Sequence, residues 1–219
     1  IRLVDPLKIL SLSKTGQMFW CEVSAIFIVK TFSALNIPAR LVSLSSDGFS
    51  FEHGVAEVWC NEKKKWIMVD ADFNLIYHKD SIPLSSFELC HEVTLPSELS
   101  IFVLGPPKSN LKRMNLHRFF NYVILDLRND WQQRYLSKGS PAGGDLSTWW
   151  LSRDTNTILI WPGQNIKTKE IFDWQINRVV FFADSSFIEN GQEKIKISLG
   201  TYAPYFSHFE LSINDQPWD

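Results

Sequence analysis

The sequence is poor in cysteine, with only Cys21, Cys60 and Cys90 in 219 residues. So few, and odd in number, they exclude a disulfide framework, and at least one thiol stays free or pairs with another chain. Long apolar runs are missing as well. A bilayer-spanning helix needs about 20 consecutive apolar residues. The longest stretch here, residues 23–35, is interrupted by Ser24, Lys30, Thr31 and Ser33, so no membrane span is expected. There is no excess of positive charge either, with 22 Lys and Arg against 24 Asp and Glu and a net charge of −2. Nucleic-acid binding draws on clustered cations, and the one basic run, Lys63-Lys64-Lys65, reads as a solvated turn. Nucleic acid is therefore not an expected partner. Cys90-His91 with His78 and Cys60 lack paired metal-ligand spacing, so neither a metal nor another cofactor is expected. No internal repeat, low-complexity tract or signal-peptide pattern is visible. The chain begins at Ile1, and the compartment stays open.

What is present is an ordinary globular balance, 45% apolar and 21% charged residues. The length suffices for a real core and for one large or two small domains. Residues 1–15 are mixed, with Asp5-Pro6 and Ser11-Leu12-Ser13 reading as turns or short segments. Residues 21–35 carry Val23, Ile26, Phe27, Val29 and Phe32 at helical spacing, with further apolar residues on the sides, which predicts a buried helix. Asn36-Ile37-Pro38 stops it. A strand follows over 39–44, then a polar turn holding Asp47-Gly48. Alternation over 53–60 and 66–73, around Asn61-Glu62-Lys63-Lys64, predicts a hairpin. A short helix is expected near 85–88, and one long helix over 111–136 from the spacing of Leu116, Phe119, Phe120, Val123 and Leu127. Gly139, Pro141, Gly143 and Gly144 mark a boundary at 137–145. Beyond it, short strands are expected at 157–161, 179–183, 194–199 and 209–213, the pattern of a small β-sandwich.

Three residues stand out for chemistry. A thiol acts as a nucleophile only as thiolate, which requires a lowered pKa, a nearby base, or both. Cys21 falls in the first turn of the buried helix, where the helix dipole favours an anion and the neighbouring Glu22 opposes one. In the hairpin, His53, Val55, Glu57 and Trp59 share one face. If Cys60 pairs with Lys65, Val55 lies opposite Asp70, and His53 becomes the diagonal neighbour of Asp70 on the same face. A one-residue slip would separate them. In this register the thiol, the imidazole and the carboxylate fit a nucleophile–base–orienter triad. Cys60 falls on the face opposite His53 and reads as packing. His117 and His208 read as surface or satisfied positions, and Trp149, Trp150 and Trp161 as core or interface before groove.

Several motifs carry a resemblance. The run Gly16-Gln17, Cys21-Glu22 and Leu35-Asn36-Ile37-Pro38-Ala39-Arg40-Leu41-Val42 resembles the transglutaminase-like superfamily. So do His53-Gly54-Val55-Ala56-Glu57-Val58-Trp59 and Lys65-Trp66-Ile67-Met68-Val69-Asp70. In that family a core helix starts at the catalytic cysteine and ends near a Gly-Ile-Pro-Ala-Arg segment, followed by a histidine strand and a Trp-x-x-Val-Asp strand. The likeness covers residues 16–74, and residues 72–88 are similar to bacterial members more loosely. Asn36 stands where the family has glycine. The resemblance implies an α+β fold: a papain/transglutaminase-like core, with a central helix packed on an antiparallel sheet, over residues 1–138, and a C-terminal β-sandwich accessory domain over 145–219. It implies Cys21, His53 and Asp70 as the catalytic triad, with the Cys21 backbone N–H and either Gln17 or Trp20 stabilising the oxyanion.

Two functions follow as expectations. One is thiol-dependent acyl transfer or hydrolysis of a peptide or carboxamide bond through a thioester, as in a transglutaminase-like cysteine protease, amidase or acyltransferase acting on a protein or peptide. In the bacterial-looking members, hydrolysis is the favoured outcome. The other is a non-catalytic binding or scaffold protein of the same fold that recognises a glycan or a protein. Retention of all three triad residues favours the enzyme.

Overall fold

The computed structural model describes residues 5–93, 97, 99–105, 116–126, 148–154, 163–173, 179–201 and 207–212. The chain forms two compact units, Ile1–Trp174 and Gln175–Asp219.

The first unit opens with helix α1, Pro6–Lys14, where the sequence reading expected turns or short segments. Asp5 caps it, Oδ1 accepting from the Leu7 and Lys8 N–H groups, and Pro6 fills the first helical position. That position needs no N–H donor. Helix α2, Cys21–Ala34, turns Ala25, Ile26 and Val29 inward. It covers strands β1, Ala39–Ser45, and β2, His53–Cys60. Val29 joins Ala39, Ala56 and Val58 in one apolar cluster. The helix ends in a Schellman motif: Ile37 N–H donates to Phe32 O at 2.9 Å and Asn36 N–H to Ser33 O at 3.1 Å. Asn36 takes the left-handed conformation with φ 62°.

The chain then builds strands β3, Lys65–Asp70, β4, Leu75–Lys79, and β5, Ile82–Pro83. Helix α3, Ser86–His91, starts at a Ser85/Glu88 capping box. Strand β6 is Ser100–Val103. After a 3-10 helix, Leu116–Asn121, come β7, Tyr122–Asp126, and β8, Thr148–Ser152. Strand β9, Gln164–Asn165, and helix α4, Lys169–Asp173, complete the unit. Among the described residues, nine strands form one sheet in the order β5-β4-β3-β2-β1-β7-β8-β9, with β6 on β4. Strand β9 runs parallel to β8, and the other pairs are antiparallel. Among the described residues no helix is long and apolar enough to cross a membrane.

This overturns the expected architecture. In place of an α+β papain/transglutaminase-like core, with a central helix on an antiparallel sheet, the protein is mostly β, built on a large mixed sheet with few helices. The expected long helix over 111–136 is the main cause. Its apolar residues at 122–125 form the central strand β7, flanked by β1 and β8 and buried at Val123, Ile124 and Leu125. A strand covered on both faces is apolar at successive positions and can imitate helical spacing.

Among the described residues beyond 145 the strands do not form the expected C-terminal β-sandwich. Trp149 and Trp150, both buried, belong to β8 in the main sheet. The described part of the second unit has one two-stranded hairpin, β10, Val179–Glu189, with β11, Gln192–Thr201. Its turn carries Asn190 and Gly191 at positive φ. Residues 209–212 are not in a strand. The expected boundary at 137–145 and strand at 157–161 lie outside the described residues.

Candidate active site

Cys21 is the first residue of α2. Trp20 precedes it as the N-cap in extended conformation and supplies no side-chain cap. Cys21 N–H is therefore one of the donors that a helix start leaves without an intrahelical acceptor. His53 opens β2 and is 6% exposed, and Asp70 closes β3 fully buried. Cys60 pairs with Lys65 and Ala56 with Val69, which brings the end of β3 beside the start of β2. His53 Nε2 lies 2.8 Å from Asp70 Oδ2. A carboxylate accepts, so Nε2 carries the proton, and Nδ1 is left to meet the thiol. The His53 imidazole stands close enough to the Cys21 thiol for each to shift the pKa of the other. Sulfur, imidazole and carboxylate thus lie side by side.

Further groups hold these three in place. Asp70 Oδ1 accepts from Phe73 N–H at 3.1 Å, and Tyr77 Oη donates to Oδ2 at 3.4 Å. Burial first, then the charge and hydrogen bond of Asp70, push the Tyr77 hydroxyl well up, so it stays a donor. The His53 ring packs between Phe73 and Phe119, with centroids 4.9 and 5.6 Å away.

Gly54 matters most among the residues the sequence reading passed over. Its N–H donates to Cys21 Sγ at 3.2 Å. A Cβ at this position would stand 2.9 Å from Glu22 Cα and 3.0 Å from Glu22 N. Only glycine lets the strand lie this close to the helix start. The sequence signal was present, a glycine directly after a candidate histidine inside a strand, which marks close backbone approach.

The electrostatics follow the geometry. Burial raises the Cys21 pKa, and Asp72 adds to that. The hydrogen bonds from His53 and Gly54 and the charge of the imidazole outweigh both, so the thiol lies below its usual value. For His53, burial acts downward. The hydrogen bonds to Asp70 and Cys21 and their charges act upward and prevail, raising it to about 9. Both shifts favour a thiolate–imidazolium pair.

A cleft of about 490 Å³ opens at the sulfur. Cys21, His53 and Gly54 line it together with Trp20, which is 84% exposed. Gln17 is exposed and is not among the residues lining the cleft. Of the two oxyanion candidates, Trp20 alone lines the cleft.

A buried ion pair lies further along the strand that His53 opens. Arg40 and Glu57 are both fully buried, with Nε and Nη2 each 2.7 Å from Oε2. Arg40 also donates to Phe172 O and lies between the Trp66 and Phe172 rings. Glu57 Oε1 accepts from the N–H and Oγ of Ser86. The network ties β1 and β2 to α3 and α4, and the sequence reading did not foresee it.

The remaining candidates do not converge on the sulfur. Cys90 is buried and its thiol is pushed up to about 12 by burial, with Arg153 pulling the other way. His117 Nε2 contacts Val93 O and Arg153, and His208 is exposed beside Glu210. Among the described residues no group of three or more His, Cys, Asp or Glu could hold a metal ion. In comparisons with models of known families, with curated proteins and with solved structures, nothing matches this chain.

Proposed function

We propose that the protein is a thiol-dependent acyl-transfer or hydrolytic enzyme acting on a carboxamide or peptide bond. The observation that carries this reading is the His53–Asp70 hydrogen bond beside Cys21 at the edge of an open cleft, with Gly54 N–H on the sulfur. The resemblance of residues 16–74 to transglutaminase-like sequences supports the same chemistry, though not the same architecture.

In the proposed reaction the Cys21 thiolate attacks the carbonyl carbon and the oxygen becomes an oxyanion. The Cys21 N–H is placed to stabilise it, with the Trp20 indole N–H as the side-chain candidate. The tetrahedral adduct collapses as His53 Nδ1–H passes its proton to the departing nitrogen, and ammonia or an amine leaves a thioester on Cys21. Neutral His53 then takes a proton from water or from an acceptor amine, which attacks the thioester and returns Cys21 as thiolate. The products are an acid or a new amide. Asp70 holds the ring with Nδ1 toward the sulfur throughout.

Iodoacetamide labelling below pH 7, followed residue by residue by mass spectrometry, tests the nucleophile. Cys21 should react much faster than Cys60 and Cys90, and equal slow labelling of all three would sink the proposal. In a screen of peptide and glutamine-amide substrates, Cys21→Ala should fold and lose turnover.

A further inference from the structure

The carboxylate of Asp70 serves more than one donor. It is fully buried, and its Oδ2 lies 2.8 Å from His53 Nε2 and 3.4 Å from the Tyr77 hydroxyl. Oδ1 accepts from Phe73 N–H. Imidazole and phenol therefore draw on the same oxygen, one from β2 and the other from β4.

The phenol is held by parts other than Asp70. Asp70 pairs with Leu75, and Tyr77, two residues further along β4, falls on the same face. The Tyr77 ring is 1% exposed and meets Phe120 edge-on, with centroids 5.2 Å apart. Its carbonyl accepts from Leu84 N–H, and its strand is paired with β6 at Ile101. A phenylalanine would fill the same space, so the hydroxyl is what the site gains from tyrosine.

A buried tyrosine hydroxyl needs a partner, and any acceptor would meet that need. Here the acceptor is the oxygen that binds the reacting imidazole, and the sharing has a chemical consequence. A carboxylate oxygen that accepts a second hydrogen bond holds its first donor less strongly. In the proposed reaction His53 gives a proton to the leaving nitrogen and later takes one from water or an amine. A buried carboxylate undivided on Oδ2 would favour the imidazolium further and slow the first of these steps.

We propose that Tyr77 is a positioning residue of the triad: its hydroxyl shares Oδ2 of Asp70 with His53 and so limits how tightly the carboxylate holds the imidazolium. The proposal rests on reading Cys21, His53 and Asp70 as a triad.

The other groups around His53 are the Cys21 thiol and the rings of Phe73 and Phe119, with Arg118 over the latter ring. Glu22 and Glu52 border the same cleft, and Asp72 acts on Cys21. Removing the Tyr77 hydroxyl alters none of these groups chemically.

An NMR titration of the His53 ring in the full chain tests the proposal, with the resonance assigned by its loss in His53→Gln. In Tyr77→Phe the midpoint should rise above the native value of about 9, by on the order of half a pH unit. The rise should persist when both proteins also carry Cys21→Ala, which removes the titration of the thiol. A midpoint that stays put overturns the proposal. So does one that falls, since a hydroxyl that merely anchors Asp70 would on removal let the carboxylate swing away from the imidazole. Should Tyr77→Phe fail to fold, Tyr77→3-fluorotyrosine decides: the fluorinated phenol is a stronger donor, so the midpoint should move down, and an unmoved or raised one overturns the proposal. Iodoacetamide separates this from the enzyme reading. Fast labelling of native Cys21 with an unmoved midpoint sinks only the role of Tyr77, and slow labelling sinks both.

Discussion

The backbone N–H of Gly54 points at the sulfur of Cys21 across 3.2 Å, joining the first turn of a helix to the second residue of a strand. The contact exists because no Cβ stands between strand and helix, and the same closeness brings His53 to the thiol. Gly54→Ala would drive a methyl group against the backbone of Glu22, 2.9 Å from its Cα. Overpacking of this kind costs about 1–3 kcal/mol. We expect a loss of that order in urea denaturation, together with a Cys21 thiol that labels only at higher pH. An unchanged labelling profile would mean that the strand does not set the thiolate.

Asp70→Asn keeps the shape and alters the protons. The amide can still accept from Phe73 N–H. Facing Nε2 it can present its own N–H, which favours the tautomer with the proton on Nδ1, and that form cannot serve as base toward Cys21. Turnover should fall by about 10²–10⁴-fold, and the His53 pKa should drop from about 9 in an NMR titration. Turnover within twofold of the native protein would remove Asp70 from the mechanism.

Asp72 opposes the thiolate through its charge. Asp72→Asn should therefore move the labelling profile of Cys21 toward lower pH. A shift in the other direction would show that Asp72 acts on the thiol by some route other than repulsion.

The pH dependence separates base from nucleophile. Above about pH 9 His53 loses the proton needed by the leaving nitrogen, so turnover should decline while alkylation of Cys21 persists. Stability gives a second reading. The stabilisation from His53 is complete below its unfolded value of 6.5 and is lost as pH rises through about 9. That from Cys21 is complete above its unfolded value of 9.0 and is lost as pH falls through its lowered folded value. In the native protein the two trends oppose each other from the lowered Cys21 value up to about pH 9. With Cys21→Ala only the histidine trend remains, cut short at its upper end because Cys21 helps to raise His53, so Tm should fall more steeply just above pH 6.5. Parallel Tm profiles for the two proteins would argue against a thiolate–imidazolium pair.

Arg40→Met should cost about 3–5 kcal/mol, because it strands the buried carboxylate of Glu57. Chemical denaturation measures this directly. A loss under about 1 kcal/mol would show that the Ser86 donors alone satisfy Glu57.

Local chemistry made much of the site legible in the sequence. The start of α2, its stop at Asn36 and the Cys60–Lys65 pairing follow from helical spacing, a left-handed cap and a four-residue turn. The wider architecture was not legible. Residues 122–125 carry apolar side chains at spacings that suit either a helix or a strand buried on both faces, and their pairing with β1 and β8 decided for strand. Arg40, Glu57 and Ser86 gave no warning that they would meet, since a charge acquires its partner only when distant segments pack.

The sequence by itself determined which groups could react and that, if Cys60 pairs with Lys65 as it does, His53 and Asp70 fall on one face of the hairpin, because side chains alternate with a two-residue period. Tertiary structure alone decided that the hairpin lies within a mixed sheet, nine-stranded among the described residues, and that a glycine brings helix and strand into contact. Strand neighbours and close approaches are set by burial summed over the whole unit, which no local window of residues contains.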